Sequence, residues 1–342
     1  MENCKVSIGV PVYNAARYIE RCVRSILSQS YDNLDIVFVD DCSTDNSVTI
    51  IEQTLCHFPN RKEQVRILHH KVNQGVSAAR NTLLSTFTGE FFSFVDADDY
   101  LTPNAIELLI KRQRINNSDI VTGNIFVEMG DRTRKIEEPV FENADDMLLH
   151  IVSQFSHHSN WARIFKTSII KENKISYNPV IKIGEDWLFL VEYVLFASQV
   201  AKVDDTVYVY DYTNETSAMH QIIKNDNIGN YLYSDLVVLN TIKLLVSNKG
   251  TVYVNAVEKL IAKRLEEGLL WAYKNNHRLS FSKFKKYIYG LDKENVPKFF
   301  LFRKLSIGRY IFPESYSLYF MAKKIKTKIK NYRTCYLNKY SK

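Results

Sequence analysis

Three carboxylates within four residues, Asp96, Asp98 and Asp99, end an apolar run in FFSFVDADDYLT, the stretch from Phe91 to Thr102. Phe91, Phe92, Phe94 and Val95 predict a strand buried on both faces, so the acids stand at its carboxyl end. Carboxylates this close repel one another, and at the mouth of a core they need a cation or a hydrogen-bonded ligand. A divalent ion carrying phosphate oxygens meets both needs, because Mg²⁺ or Mn²⁺ is usually held by one or two carboxylates plus substrate phosphates. A calcium loop is excluded: Tyr100 and Leu101 stand where it requires an oxygen ligand and a glycine. The simpler alternative is capping, with Asp99 or Thr102 closing the start of the next helix and Pro103 in its first turn.

The elements that must position these acids are legible in the hydrophobic pattern. Val6 to Val12 predicts a first strand, and Asn14 can cap the helix after it. In that helix Ile19, Cys22, Val23, Ile26 and Leu27 form one buried stripe. Leu34 to Val39 is a continuous apolar strand of the parallel-sheet kind, ending at Asp40 and Asp41. CSTDNS is turn and cap chemistry, and Val48, Ile51 and Leu55 carry the next helix. Val65 to Leu68 predicts a third strand, Val76 to Leu84 a helix, Phe91 to Val95 the fourth strand, Pro103 to Asn116 a helix and Asp119 to Thr122 a fifth strand. Repeated strand-helix alternation predicts an α/β fold, a doubly wound and mainly parallel sheet flanked by helices, with ligands beyond the carboxyl ends of its strands. Strand ends at Tyr13, Asp41 and Asp96 would then meet at one crevice.

Beyond Phe126 the pattern weakens. Arg132 to Glu142 reads as a loop or hairpin, Ala144 to Val152 as a helix, Trp161 to Ile170 as an apolar segment and Val203 to Tyr212 as a strand. Gly184, Glu185 and Asp186 open a helix running through Phe196; acids in a first turn ordinarily complement the macrodipole. From about Gln221 the pattern is mostly helical. The expected domains are therefore 1–218 and a helical region, 219–342.

The chain has 342 residues, 46% hydrophobic, enough for a large core. Five cysteines, Cys4, Cys22, Cys42, Cys56 and Cys335, lie far apart with no C-x-x-C pair, which points to reduced thiols and away from zinc. No h-region follows Lys5, so a cytoplasmic protein is expected. The net charge of +7 is uneven: from Leu301 onward eleven Lys and Arg face the single acid Glu314, a tail of +10 that leaves −3 elsewhere. No nucleic-acid module accompanies it. The aromatics interleaved with lysines suit an anionic membrane surface, with a solvated helical face as the alternative.

In order, SIGVPVYN, SILSQSY, IVFVDDCSTDNS, NQGVSAARN, FSFVDADDYL and GEDWLF resemble the family 2 glycosyltransferases of GT-A fold, over roughly Val6 to Thr216. The resemblance implies transfer of a sugar from a nucleotide donor, UDP-linked, to a hydroxyl of a glycan or lipid-linked acceptor in surface polysaccharide assembly. It implies Pro11, Tyr13 and Asp41 around the nucleotide base and Arg80 on the nucleotide side, unless Tyr13 is a core aromatic, Asp41 a helix cap or Arg80 a solvated face residue. It places Asp96 near ribose and metal, Asp98 as direct ligand to Mn²⁺ or Mg²⁺, and Asp186 or its neighbour Glu185 as general base of an inverting displacement. Trp161 and Arg163 fall in a segment near the family's acceptor side, although Trp161 could be core. His157, His158 and His220 could touch substrate. The chain departs from the family near Asn214 and Glu215, where an arginine often precedes a serine-rich turn. Two other readings fit the fold less well: a sugar nucleotidyltransferase needs a Gly-rich phosphate loop that PVYNAARY lacks, and a non-catalytic binding protein would not need Asp41, Asp96, Asp98 and Asp186 together.

Overall fold

A computed structural model describes residues 4–155, 158–214 and 228–274. One compact unit runs over Met1–Asn295; the second, Val296–Lys342, which contains the basic tail, lies outside the described residues, as do His157, Glu215 and His220.

The first half alternates as expected: β1 (Val6–Val12), α1 (Ile19–Leu27), β2 (Leu34–Asp40), α2 (Ser47–Leu55), β3 (Val65–His69), α3 (Val76–Thr86) and β4 (Phe91–Phe94). Strands β1, β2 and β4 are buried almost throughout, and α1 buries the five residues of its predicted stripe. A short β5 (Tyr100–Leu101), α4 (Ala105–Asn116), β6 (Ile120–Met129), β7 (Arg132–Ile136) and α5 (Ala144–Ser153) follow. Then come β8 (Arg163–Lys166), α6 (Thr167–Asn173), α7 (Glu185–Val194) and β9 (Val200–Asp211). Helices α8 (Ile228–Leu245) and α9 (Thr251–Lys274) are clamped by Arg264 Nε to Asp235 Oδ2 at 2.7 Å. They pack on α7 and α5, so the compact unit reaches past residue 218.

The nine strands form one sheet ordered β3-β2-β1-β4-β8-β6-β9-β5, with β7 paired to β6. Pairing is parallel from β3 to β4 and between β6 and β9, and antiparallel elsewhere. Strand β8 is inserted beside β4, bringing chain from beyond residue 160 next to the strand that carries the acids.

Three local expectations change. Asn14 does not cap α1; it sits at φ 48° and its Oδ1 accepts the Thr44 N–H at 2.8 Å, locking the loop after β1 to the loop after β2. Helix α4 starts after Asn104 with no side-chain cap, while the Thr102 hydroxyl donates to Thr206 O and Asp99 is buried. Arg163, which falls in the segment that the resemblance puts near the acceptor side, is 1% exposed, and its Nη2 donates to Glu138 Oε2 at 2.8 Å. The guanidinium of β8 is held inside the sheet by a carboxylate with almost no exposure of its own.

Removing one partner of a buried ion pair leaves an uncompensated charge. Glu138→Ala should therefore destabilise the fold by about 3–5 kcal/mol in urea unfolding. A loss below about 1 kcal/mol, the range of exposed pairs, would show that the pair is solvated.

Candidate active site

The crevice is built on the end of β4. After Val95 the chain turns, and Tyr208 of β9 reaches back across it: its hydroxyl accepts the Asp96 N–H at 3.1 Å and donates to Asp99 Oδ2 at 2.7 Å. Asp99 Oδ1 accepts the Asp211 N–H at 2.9 Å, so this third acid holds β9 to the turn. Burial, followed by the charges of Asp98 and Asp96, pushes the Asp99 carboxyl well above the usual carboxylate range. Asp96 and Asp98 are only partly buried. Asp98 Oδ2 accepts from Asn214 Nδ2 at 2.7 Å, and burial and the neighbouring Asp96 also raise its carboxyl pKa. The loop is braced from α1 by Arg21, which donates to Asp98 O at 3.3 Å and pairs with Asp211 and Glu128.

Arg80 joins this turn to α7. Projecting from α3 and 4% exposed, it donates through Nη2 to Asp96 Oδ1 at 3.1 Å, and through Nη1 to Glu185 Oε1 at 3.1 Å and Asp186 Oδ1 at 2.7 Å. Its guanidinium carbon lies 5.3 Å from the centroid of the Tyr177 ring. A side chain that could have been a solvated face residue is thus the electrostatic centre of the site. Gly184 at φ 84° lets the chain enter α7 with both acids in its first turn. Asp186 remains 23% exposed, and among the described residues its Oδ2 accepts no hydrogen bond. Burial pushes its carboxyl up to about 7; Arg80 opposes this, while Glu185 and Asp96 add to it.

Asp41 lies at the other end of α3. Its N–H donates to Val12 O at 2.8 Å, and its carboxylate accepts the N–H groups of Gln74 at 2.9 Å and Gly75 at 2.7 Å. His70 Nδ1 contacts the same carboxylate at 2.7 Å. The φ of 89° at Gly75 turns its N–H toward that carboxylate, so Asp41 anchors the loop that launches the Arg80 helix. Pro11 pairs with Val39, and Tyr13 is 51% exposed where the loop leaves β1, which excludes a core aromatic. Trp161 stacks on Tyr208 at 4.8 Å and on Tyr210 at 5.7 Å, against the residue that holds Asp96. His158 stacks on Trp187 at 4.0 Å.

Sequence reasoning missed Asn160, Tyr177, Tyr208 and Asn214 as site residues. Tyr208 sat within a predicted strand, Asn214 was noted only as a departure from the family's pattern, and Asn160 and Tyr177 carried no periodic or motif signal.

Among the described residues, no three His, Cys, Asp or Glu side chains converge as a closed metal site. Asp96 and Asp98 nevertheless fit a divalent ion of the Mg²⁺ type, for which one or two carboxylates suffice when phosphate oxygens complete the shell. The crowding that raises Asp98 is the charge such an ion would relieve.

Comparison with known proteins agrees with this geometry. Residues 7–172 match the family model described as glycosyl transferase family 2. A poly(ribitol-phosphate) beta-glucosyltransferase of Bacillus spizizenii is 31% identical over 60% of this chain, a match spanning about a third (32%) of that protein's length. The poly(ribitol-phosphate) beta-N-acetylglucosaminyltransferase TarP of Staphylococcus aureus is 29% identical over 68% of this chain and 70% of its own. Among solved structures, S. aureus TarS 1–349 in complex with UDP-GlcNAc superposes with a TM-score of 0.65 at 21% identity, covering 85% of this chain and 82% of that one. The mannosyltransferase PcManGT from Pyrobaculum calidifontis, in complex with GDP-Man and Mn²⁺, superposes with a TM-score of 0.53 at 15% identity, over 84% of this chain and 75% of that one. The shared architecture is the GT-A fold. Just under half of this chain, residues 7–172, thus carries the pattern of glycosyl transferase family 2.

Proposed function

We propose that the protein is a metal-dependent, inverting glycosyltransferase that moves a sugar from a UDP-linked donor to a hydroxyl of a glycan or polyol-phosphate acceptor in surface polysaccharide assembly. The observation that carries this reading is Arg80, which brings Asp96 of the β4 turn and Asp186 of α7 onto one guanidinium. Acids ninety residues apart in the chain thereby border one crevice, one at the donor side and one where an acceptor would enter. The acceptor class is supported by the two relatives named for poly(ribitol-phosphate), and the uridine nucleotide by the UDP-GlcNAc bound in TarS.

Asp41, Pro11 and Tyr13 would form the base pocket. Three donors occupy the Asp41 carboxylate and leave one acceptor position, suited to the imide N–H of uracil. Asp98 with Asp96 would hold Mn²⁺ or Mg²⁺, which when bound neutralises charge on the departing diphosphate. Asp186 Oδ2, to which no described residue donates, takes the proton of the acceptor hydroxyl as that oxygen attacks the anomeric carbon opposite the diphosphate. A single displacement inverts the configuration. Trp161, stacked at the edge of the crevice, offers a flat apolar face to the acceptor sugar or polyol.

In calorimetry with UDP and Mn²⁺, Asp98→Ala loses metal-dependent binding, while Asp186→Asn binds normally and loses about 10²–10⁴ in transfer rate; loss of binding in the second variant alone would reverse these roles. Because the base must be ionised, transfer should rise as pH increases through about 7. Removing a neighbouring negative charge lowers a carboxyl pKa, so Glu185→Gln should move this rise to lower pH, and an unmoved profile would exclude Glu185 as its neighbour. No described helix is long and apolar enough to cross a membrane. Attachment to the inner leaflet would rest on the basic tail, so deletion after Leu301 should abolish flotation with anionic liposomes, and equal flotation of both forms would refute it.

A further inference from the structure

We propose that Asn160 is the positioning residue for the general base, a role that rests on the assignment of Asp186 as base. Asn160 is 1% exposed and precedes Trp161 and β8, outside both acidic motifs. Its Nδ2 donates to Asp186 Oδ1 at 3.1 Å and to the Tyr177 hydroxyl at 2.7 Å, and lies 3.3 Å from the Asp186 carbonyl oxygen. The opposite amide orientation would set an oxygen against the carboxylate, so only this one gives Asp186 a donor.

Two donors from different elements converge on one oxygen of the base. Arg80 Nη1 reaches Oδ1 from α3, and Asn160 reaches the same atom from the strand side. Rotation of the carboxylate would break both bonds. Oδ2 is thereby held as the oxygen with a free lone pair, the one able to receive a proton.

Asn160 is itself fixed by Tyr177, whose ring stacks on Phe189 of α7 at 4.3 Å and 5°. Base and orienting group are therefore tied to the same helix by two routes. The Asn160 Oδ1 is buried without a hydrogen-bond partner among the described residues. That is a stability penalty which an apolar residue of similar size would avoid, and it marks a residue kept for its donor and not for packing. A third group that orients a base within a hydrogen-bonded set is a recurring requirement of catalytic proton transfer.

The test uses the full chain and measures UDP release from UDP-glucose and from UDP-N-acetylglucosamine, each with Mn²⁺ and poly(ribitol phosphate) as acceptor, across pH. The groups facing Asp186 are Arg80, Glu185, Asp96 and Tyr177, and all stay in place in the variants. Asn160→Ala should lower kcat by about tenfold or more with donor KM unchanged. Losing a donor to the ionised form raises the pKa of the base, so the acid limb should move to higher pH. Asn160→Asp keeps the shape, adds a like charge and should move it further. If kcat and the acid limb match wild type in both variants, Asn160 has no such role. A rise in donor KM together with a lowered melting temperature, the acid limb staying put, would make Asn160 a packing residue and also overturn the proposal. If wild type binds UDP with Mn²⁺ but releases none from either donor, the transferase reading itself falls and takes this inference with it.

Discussion

One guanidinium carries the architecture of the site. Arg80 is buried and faces three carboxylates, Asp96, Glu185 and Asp186, from two segments that share no local structure. A buried arginine without acids would be prohibitively costly, and three clustered acids without the arginine would repel. Each side makes the other tolerable, and the residual imbalance of two negative charges is what an incoming cation or proton answers. Burial and the remaining charge push Asp186 into the neutral range, whereas an exposed aspartate would be of little use as a base at neutral pH.

The sheet exists to make that meeting possible. Parallel strands β1, β2 and β4 end side by side, which is why Tyr13, Asp41 and Asp96 were expected at one rim. Parallel pairing alone would not bring α7 there. The antiparallel insertion of β8 between β4 and β6 places Asn160, Trp161 and the approach to α7 beside the β4 turn, with Trp161 bridged to Phe94. Asp41 then sets the position of α3 from its first turn, so its carboxylate and the Arg80 cluster share one helix.

The first 120 residues were legible because the signals were local: a five-residue apolar stripe on α1, continuous apolar runs in β2 and β4, and carboxylates at strand ends. What could not be read depended on partners distant in the chain. Thr102 and Asp99 carry cap-forming side chains, yet both are drawn to β9, and a turn near a strand competes with a helix start for the same hydroxyls and carboxylates. Arg163 resembles a surface cation until Glu138 is seen beneath it. Asn160 had no periodicity to betray it, since its role arises from two contacts, one of them with a tyrosine seventeen residues away. Strands β5 and β7 are short or charged, and such edges leave little hydrophobic trace.

The rings of Phe92 and Phe94 touch Phe87, Phe165, Phe189 and Tyr177, so side chains from β4, β8, α7 and the ends of neighbouring loops form one continuous aromatic block. Rings packed edge to face and offset resist sliding. The β4 turn and the acid-bearing helix α7 are thus mounted on a common aromatic block. Diversification within such a scaffold is cheapest where no ring intrudes, which leaves the loops around the acids free to change while the block beneath them stays put.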